Sequence, residues 1–182
     1  MQKIAFLTLI SMISMVTLAS DCKDLDAAYY CFKDQQTLER GNICDIVEIF
    51  DLKVSSDKVT FKSWGAKLNI FSLPLNGNVQ ESMDGDAKIT ESIICEKNQL
   101  KHDYLMNYFE QETRILENFS LKEKTLTIFQ DGSEDNSSLN HHRKFSGVAH
   151  LCKKVPRGKA MIQFNTVTSW ISLLTQICGK VH

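Results

Sequence analysis

The sequence predicts a mainly β protein, an antiparallel meander that closes into a β-barrel or folds into a β-sandwich, with a short N-terminal helix and a C-terminal helix. Three observations predict this fold. Apolar and polar residues alternate with a period of two from Cys44 to Cys152, pairs typical of tight turns separate the alternating runs, and six cysteines accompany them. The connections are too short for crossover helices, so neighbouring strands are expected to be antiparallel.

Residues 1–19 have the organisation of a secretory signal peptide. A basic start at Lys3 precedes an apolar run from Ile4 to Leu18, and small residues precede a cut after Ala19. We expect cleavage to leave one disulfide-stabilised domain, residues 20–182, secreted or periplasmic and without a membrane span; an uncleaved anchor is the alternative. Removal of Lys3 takes the formal net charge from −1 to −2, which gives no electrostatic case for a nucleic-acid partner.

Every cysteine lies beyond this leader: Cys22, Cys31, Cys44, Cys95, Cys152 and Cys178. An even number in an oxidising compartment predicts three disulfide bonds, and the spacing leaves all fifteen pairings open. The chain has no Cys-x-x-Cys pair, so neither a redox motif nor a zinc knuckle is indicated.

The segment Asp24–Asp34 is predicted as the N-terminal helix, because four apolar residues recur at helical spacing: Leu25, Ala28, Tyr29 and Phe32. The polar stretch Gln35–Asn42 follows, with a turn expected at Arg40-Gly41. Nine strands are then predicted: Cys44–Val54, Lys58–Trp64, Lys67–Leu73, Asn78–Met83, Ala87–Glu96, Asp103–Glu110, Glu112–Ser120, Lys124–Gln130 and His142–Cys152.

Turn pairs punctuate these strands at Asn76-Gly77, Asp84-Gly85 and Asp131-Gly132, and each pair predicts a hairpin. Asp131–His141 is expected to be a long polar loop. After a basic connector, Lys153–Lys159, the segment Thr166–Cys178 is predicted as the C-terminal helix; a final strand is the alternative.

The predicted barrel interior is the candidate ligand site. Strand parity selects eight lining residues: Phe61, Leu68, Ile70, Ile89, Ile93, Leu126, Ile128 and Phe145. In the last strand the same parity places Phe145, Gly147, Ala149 and Leu151 on one face, and His142 with His150 on the other. Ordinary core packing explains these residues equally well.

No metal, cofactor or catalytic site is predicted. His142 and His150 are separated by roughly 25 Å along one extended strand, too far for joint coordination. Gly-x-Ser-x-Gly, a phosphate-binding glycine loop and His-Glu-x-x-His are all missing, so we do not expect an enzyme. Asn118-Phe119-Ser120 and Asn136-Ser137-Ser138 fit the N-glycosylation pattern.

The layout resembles the lipocalin family and its calycin relatives: a signal peptide, a short helix, eight or so meandering strands, a C-terminal helix and a late cysteine. His102-Asp103-Tyr104 is similar to the family's Thr-Asp-Tyr motif, while the Gly-x-Trp of the first strand is missing. The resemblance implies a barrel that binds a small apolar molecule, and a Cys178 that ties the C-terminal segment to the barrel.

Two functions are therefore expected. The first is a secreted or periplasmic protein that holds a small hydrophobic or amphipathic ligand in a β-barrel. The alternative is a solid β scaffold, an inhibitor or envelope-associated factor, that binds a protein or glycan partner. Its active surfaces would be the Asp131–His141 loop and the Lys153–Lys159 segment.

Overall fold

The computed structural model describes residues 22–64, 68–158 and 178. The expected signal peptide and the expected helix Thr166–Cys178, apart from Cys178 itself, lie outside this part of the chain. Within the described residues, no helix has the length and apolar character needed to cross a bilayer.

Ten strands follow one another along the chain: β1 Ala27–Phe32, β2 Ile46–Val54, β3 Lys58–Trp64, β4 Leu68–Pro74, β5 Gln80–Asp84, β6 Ala87–Glu96, β7 Gln99–Tyr108, β8 Gln111–Lys122, β9 Thr125–Asn136 and β10 His141–Val155. A 3₁₀ turn at Lys23–Leu25 precedes β1, and helix α1, Gln35–Arg40, and a 3₁₀ turn at Ile43–Asp45 separate β1 from β2. All ten strands form one antiparallel sheet, ordered β4-β3-β2-β1-β10-β9-β8-β7-β6-β5 and curved into a nearly closed barrel. The predicted antiparallel barrel is confirmed.

Strand β1 joins the two halves of the sheet, because it pairs with β2 on one side and with β10 on the other. The seam lies between the edge strands β4 and β5, so the hairpin predicted at Asn76-Gly77 is wrong. Instead Asn76 forms a bridge to Ile94 of β6, and the Gly77 N–H donates to the Ile93 carbonyl at 3.0 Å. The edge position of β4 also accommodates Pro74, which cannot donate to a ladder.

The predicted N-terminal helix is wrong, because most of Asp24–Asp34 is strand β1. This strand is buried on both faces: Tyr29 is 0% exposed inside the barrel, and Phe32 is 2% exposed on the outside. A strand with two buried faces has apolar residues at both parities, and here they coincide with helical spacing. Hydrogen bonding to the neighbouring strands β2 and β10 outweighs the helical preference of this segment.

The helix lies instead in the polar stretch Gln35–Asn42, and it ends at the turn predicted at Arg40-Gly41. Asp34 caps α1 by accepting from the Thr37 N–H at 2.8 Å, and Gly41 ends it in the left-handed conformation at φ 60°. Leu38 of α1 packs on the outer face of the sheet against an apolar cluster that includes Phe32, Ile46 and Ile49.

The turn and loop predicted from Asp131 onward are also wrong. Strand β9 continues to Asn136, and the turn spans residues 137–140. Gly132 lies within the sheet because a side chain does not fit there: a Cβ would lie 2.4 Å from the Arg114 carbonyl oxygen and 2.6 Å from Cζ of Phe145. The glycine serves close packing rather than a turn.

A bulge between Val148 and His150 changes the parity of β10. Beyond it His150 pairs with Ile128, and Cys152 pairs with Leu126, both on the interior side. The prediction that Phe145 and Leu151 share a face is therefore wrong, as is the shared face of His142 and His150. Leu151 packs with the outer cluster under α1.

Three disulfides cross-link the described cysteines: Cys22–Cys95, Cys31–Cys152 and Cys44–Cys178. The first holds the N-terminal 3₁₀ turn against the end of β6. The second joins register partners on β1 and β10, where the barrel closes. The third links Cys178 to the turn before β2. The predicted count of three is confirmed.

One half of the barrel interior is a solid apolar core, which we call the lower half. It lies at the end where the 3₁₀ turn Lys23–Leu25 enters, and Leu25 is 1% exposed there. Three rings meet across it: the ring centroids of Phe50, Phe61 and Phe119 are 5.6–6.0 Å apart, so β2, β3 and β8 pack against one another. This half is held by ordinary core packing.

A buried ion pair sits on the outer face at the lower end. Asp51 is 2% exposed and accepts from Nε of Arg157 at 2.8 Å. The same guanidinium donates to the Leu52 carbonyl at 2.7 Å and pairs with Asp26. Arg157 thus joins the chain after β10 to β2.

We expect Arg157→Met to lower the free energy of unfolding by about 3 kcal/mol, because it leaves Asp51 buried without a counterion. Urea denaturation measures this. Arg114→Met is the matched control: its partner Asp103 is 2.9 Å away, but the Arg114 side chain is 61% exposed, so we expect a loss below about 1 kcal/mol. Equal losses in the two variants would contradict the assignment.

Gly132→Ala should also destabilise the fold, by about 2 kcal/mol, since the added methyl group meets backbone in β8 and the Phe145 ring. The control is Gly158→Ala, where no heavy atom lies within 4 Å of the added carbon. An unchanged thermal midpoint for Gly132→Ala would show that β9 does not run through this position.

Candidate functional site

A polar layer lies across the barrel interior, directly above the apolar lower half. We call it the interior polar layer. It contains one residue from each of seven strands: Glu48, Ser63, Glu91, His102, Glu117, Gln130 and His150. Their inward direction follows from register. His102 pairs with the core residue Ile93, and Glu117 lies between His102 and Gln130 on neighbouring strands.

His102 is at the centre of this layer and is 5% exposed. Its Nδ1 lies 3.0 Å from Oε2 of Glu117, and its Nε2 lies 3.1 Å from Oε2 of Glu91. Both partners are carboxylates, which only accept, so both ring nitrogens must carry hydrogen. The geometry therefore holds His102 as an imidazolium.

The pKa values agree with this protonation state. Burial acts to lower the pKa of His102, but hydrogen bonds to Glu117 and Glu91 outweigh it and raise that pKa to about 9. Burial acts to raise the pKa of Glu117, yet hydrogen bonds from His102 and Gln130 bring it below its ordinary value. Gln130 donates to Oε1 of Glu117 at 2.7 Å, so both oxygens of this carboxylate are occupied.

The network continues on the far side of the layer. Ser63 donates its hydroxyl to Glu48, and Nε2 of His150 lies 3.7 Å from the other oxygen of Glu48. Nδ1 of His150 is buried and has no hydrogen-bond partner among the described residues. Carboxylates and imidazoles thus alternate around the interior.

This arrangement suits electrostatic binding better than proton transfer. With both nitrogens donating, His102 has no lone pair available to act as a base. The Ser63 hydroxyl is paired with a carboxylate and not with a neutral imidazole, so it lacks the activation of a nucleophile. Within the described residues, no group of three or more metal-ligating side chains is arranged to hold an ion.

Aromatic rings border the layer. Phe71 stacks on Phe61 with centroids 4.6 Å apart and lies 6.1 Å from the His102 ring. Tyr104 meets His102 edge-on at 6.3 Å. Phe71 belongs to the edge strand β4 and is 37% exposed, so this part of the interior opens at the seam.

Above the layer most of the inward side chains are only partly covered, although Ala87 and Thr113 near the rim are buried. Register places Ile89, Tyr104, Met106, Ile115 and Phe145 on the interior side, and each is of intermediate exposure. We call this the upper half of the interior. It ends at the α1 side of the barrel and the tips of the β7–β8 and β9–β10 hairpins.

The eight predicted lining residues are divided between these regions. Phe61, Ile93, Leu126 and Ile128 are buried in the lower core. Ile89 and Phe145 lie in the upper half. Ile70 is 55% exposed and pairs with Lys62, on the outer face opposite to Phe61; of Leu68, only the backbone is described, paired with Trp64.

Sequence reasoning missed the interior polar layer, although a signal was present. Glu91 has the same parity as Ile89, Ile93 and Cys95, so a charged residue interrupts an otherwise apolar face. His102 has the parity of Leu100 in the same way. Polar residues in a half-buried strand usually face solvent, so the alternation alone did not predict an inward-facing Glu or His.

The two predicted glycosylation sites lie on different parts of the sheet. Asn118 is in the middle of β8, half-buried, between Lys101 and Phe129 on the outer face. Asn136 ends β9, where its side-chain oxygen accepts from the Ser138 hydroxyl at 2.8 Å and from the Leu139 N–H at 3.1 Å.

No protein-family model matches this chain, and no curated protein matches its sequence.

We expect His102 to make stability depend on pH. Its pKa is about 9 in the folded protein and 6.5 when unperturbed, so its contribution is complete below pH 6.5 and is lost as the pH rises to about 9. The unfolding free energies of wild type and His102→Gln should therefore converge between pH 6 and pH 9.5, by up to about 3 kcal/mol.

Urea titrations at the two pH values measure this convergence. His142→Gln is the control, because His142 pairs with Asp135 at the exposed end of β10, where its side chain is 54% exposed. A difference between wild type and His102→Gln that is constant with pH would mean that His102 is not held as an imidazolium.

Proposed function

We propose that this protein binds a small amphipathic ligand in the upper half of its barrel, outside the cytoplasm. One observation carries the proposal: the interior side chains below the polar layer are fully buried, whereas most of those above it are only partly covered. Ile93, Phe119 and Leu126 are at most 2% exposed, while Ile89, Met106 and Phe145 are of intermediate exposure. An apolar wall above a few convergent polar groups is the usual form of a small-molecule site.

The three disulfides support the proposed extracytoplasmic compartment. Three disulfides persist only where the surroundings are oxidising, which supports a secreted or periplasmic protein. The signal peptide expected over residues 1–19 and the resemblance to lipocalins lead to the same proposal. The activity proposed is binding and not catalysis.

A second candidate, binding of a protein or glycan partner, is favoured by the hairpin tips. Phe109 and Leu139 are 78% and 75% exposed, and Tyr108 beside them is 43% exposed. A cleft of about 520 Å³ runs between the β7–β8 and β9–β10 tips, which are joined by the Ser137 N–H donating to the Glu110 carbonyl at 3.0 Å. Ordered apolar side chains at a rigid tip suit contact with another macromolecule.

Filling the upper half tests the first proposal. The neutral fluorescent probe N-phenyl-1-naphthylamine should bind wild type saturably, and Met106→Trp should weaken this binding at least about tenfold, because the larger ring occupies the ligand's space. Leu116→Trp is the matched control, on the outer face of the neighbouring strand, where Leu116 is 39% exposed; it should bind the probe as wild type does.

Fluorescence titration of wild type, these two variants and Phe109→Ser decides between the two functions. Equal probe affinity in wild type and both variants would place the probe outside the barrel and would overturn the proposal. Under the proposal Phe109→Ser leaves probe binding unchanged, whereas binding at the hairpin tips would be reduced by that substitution.

A further inference from the structure

The interior polar layer carries more negative than positive charge. Glu48, Glu91 and Glu117 are carboxylates, and His102 is the cation held between two of them. The two imidazoles of the layer, His102 and His150, can offset at most two of these three negative charges. Uncompensated charge in a partly desolvated interior is costly, so the layer favours a ligand that supplies the missing positive charge.

The free acceptor can be located within the layer. Both oxygens of Glu117 are occupied, by His102 and by Gln130. Glu91 uses Oε2 for His102, while its Oε1 has no hydrogen-bond partner among the described residues. Glu91 is 17% exposed and lies on β6 beside the seam, paired in register with Gln80 of the short edge strand β5. A ligand entering the upper half therefore reaches this carboxylate.

The surrounding rings suit the same charge. Phe71 and Tyr104 stand around His102 with centroids 6.1 and 6.3 Å from its ring, and neither ring is fully buried. Aromatic faces attract cations, and they also pack against an apolar body. A carboxylate headgroup would instead meet the excess negative charge of the layer, and a neutral hydroxyl could donate to Glu91 but would bring no compensating charge.

We infer that the ligand is a protonated amine on an apolar body, with its ammonium group donating to Glu91. The inference rests on the proposed function, because it names the chemical class of ligand for the same upper half. It goes beyond that proposal in assigning Glu91 the role of ligand counterion and His102 the role of a positioning residue, which holds Glu91 and Glu117 in place.

Three probes with one chain and three headgroups test the inference: octylamine, octanol and octanoate, titrated into the full chain by calorimetry at pH 7. The amine is protonated and the acid ionised at this pH. We expect octylamine to bind at least about tenfold more tightly than octanol, since its ammonium group adds an attraction between opposite charges to the hydrogen bond that either headgroup can donate to Glu91. Octanoate should bind most weakly.

Glu91→Gln keeps the shape of the side chain and removes its charge. It should weaken octylamine about tenfold and octanol by much less, and retained octanol binding reports an intact pocket. The matched control is Glu81→Gln on β5: it removes the same charge from an exposed pair with Lys88, in which Glu81 is 61% exposed, and should leave octylamine affinity as in wild type.

The outcomes are distinct. If octanol or octanoate binds wild type as tightly as octylamine, the proposed function stands and the amine inference is overturned. If octylamine is preferred but Glu81→Gln weakens it as much as Glu91→Gln does, general surface charge is responsible and the role of Glu91 is overturned. If none of the three probes binds, the proposed function itself fails. Should Glu91→Gln not fold, the headgroup preference of wild type decides the question.

Discussion

The whole barrel depends on the pairing of β1 with two strands from distant parts of the chain. Without it, β2–β4 and β5–β10 would form separate antiparallel sheets with open edges. The Cys31–Cys152 disulfide links register partners at this junction across a sequence separation of 121 residues. A cross-link over so long a loop removes much of the freedom of the unfolded chain, so it stabilises this long-range contact between β1 and β10.

Closure around β1 then divides the interior. At the lower end the N-terminal 3₁₀ turn enters the barrel. The rings of Phe50, Phe61 and Phe119 meet across this half of the interior and form an apolar core. Above that core the strands carry polar side chains at interior positions, and these have to satisfy one another. His102 is central to this, because its two ring nitrogens donate to two carboxylates.

The polar layer has a cost that a purely apolar core would avoid, since buried ion pairs seldom stabilise a fold more than well-packed hydrophobic residues do. A layer of this kind is consistent with a role in binding. Under the proposed function it forms the charged floor of the ligand site. The same protein keeps its second buried ion pair, Arg157 with Asp51, on the outside of the sheet, where it anchors the chain after β10.

Much of the fold could be predicted from the sequence alone. The alternation from Cys44 to Cys152 predicted the nine strands β2 to β10, although β7 begins four residues earlier and β9 ends six residues later than predicted, and six cysteines gave three disulfides. Both are local or compositional properties. The turns at 97–98, 109–110 and 123–124 lack glycine and use non-glycine residues at positive φ, such as Lys97 and Glu123, so tight hairpins there had no sequence signal.

Only the tertiary structure decided which faces are buried and which strands meet. Burial of β1 on both sides produced a helical spacing in a strand, packing against Phe145 explains Gly132, and one bulge reversed the parity of β10. The interior position of Glu91, His102 and Glu117 depends in the same way on strand register across the closed sheet. Periodicity records how a segment divides its own faces, but the partner on each face is set by contacts between residues far apart in the chain.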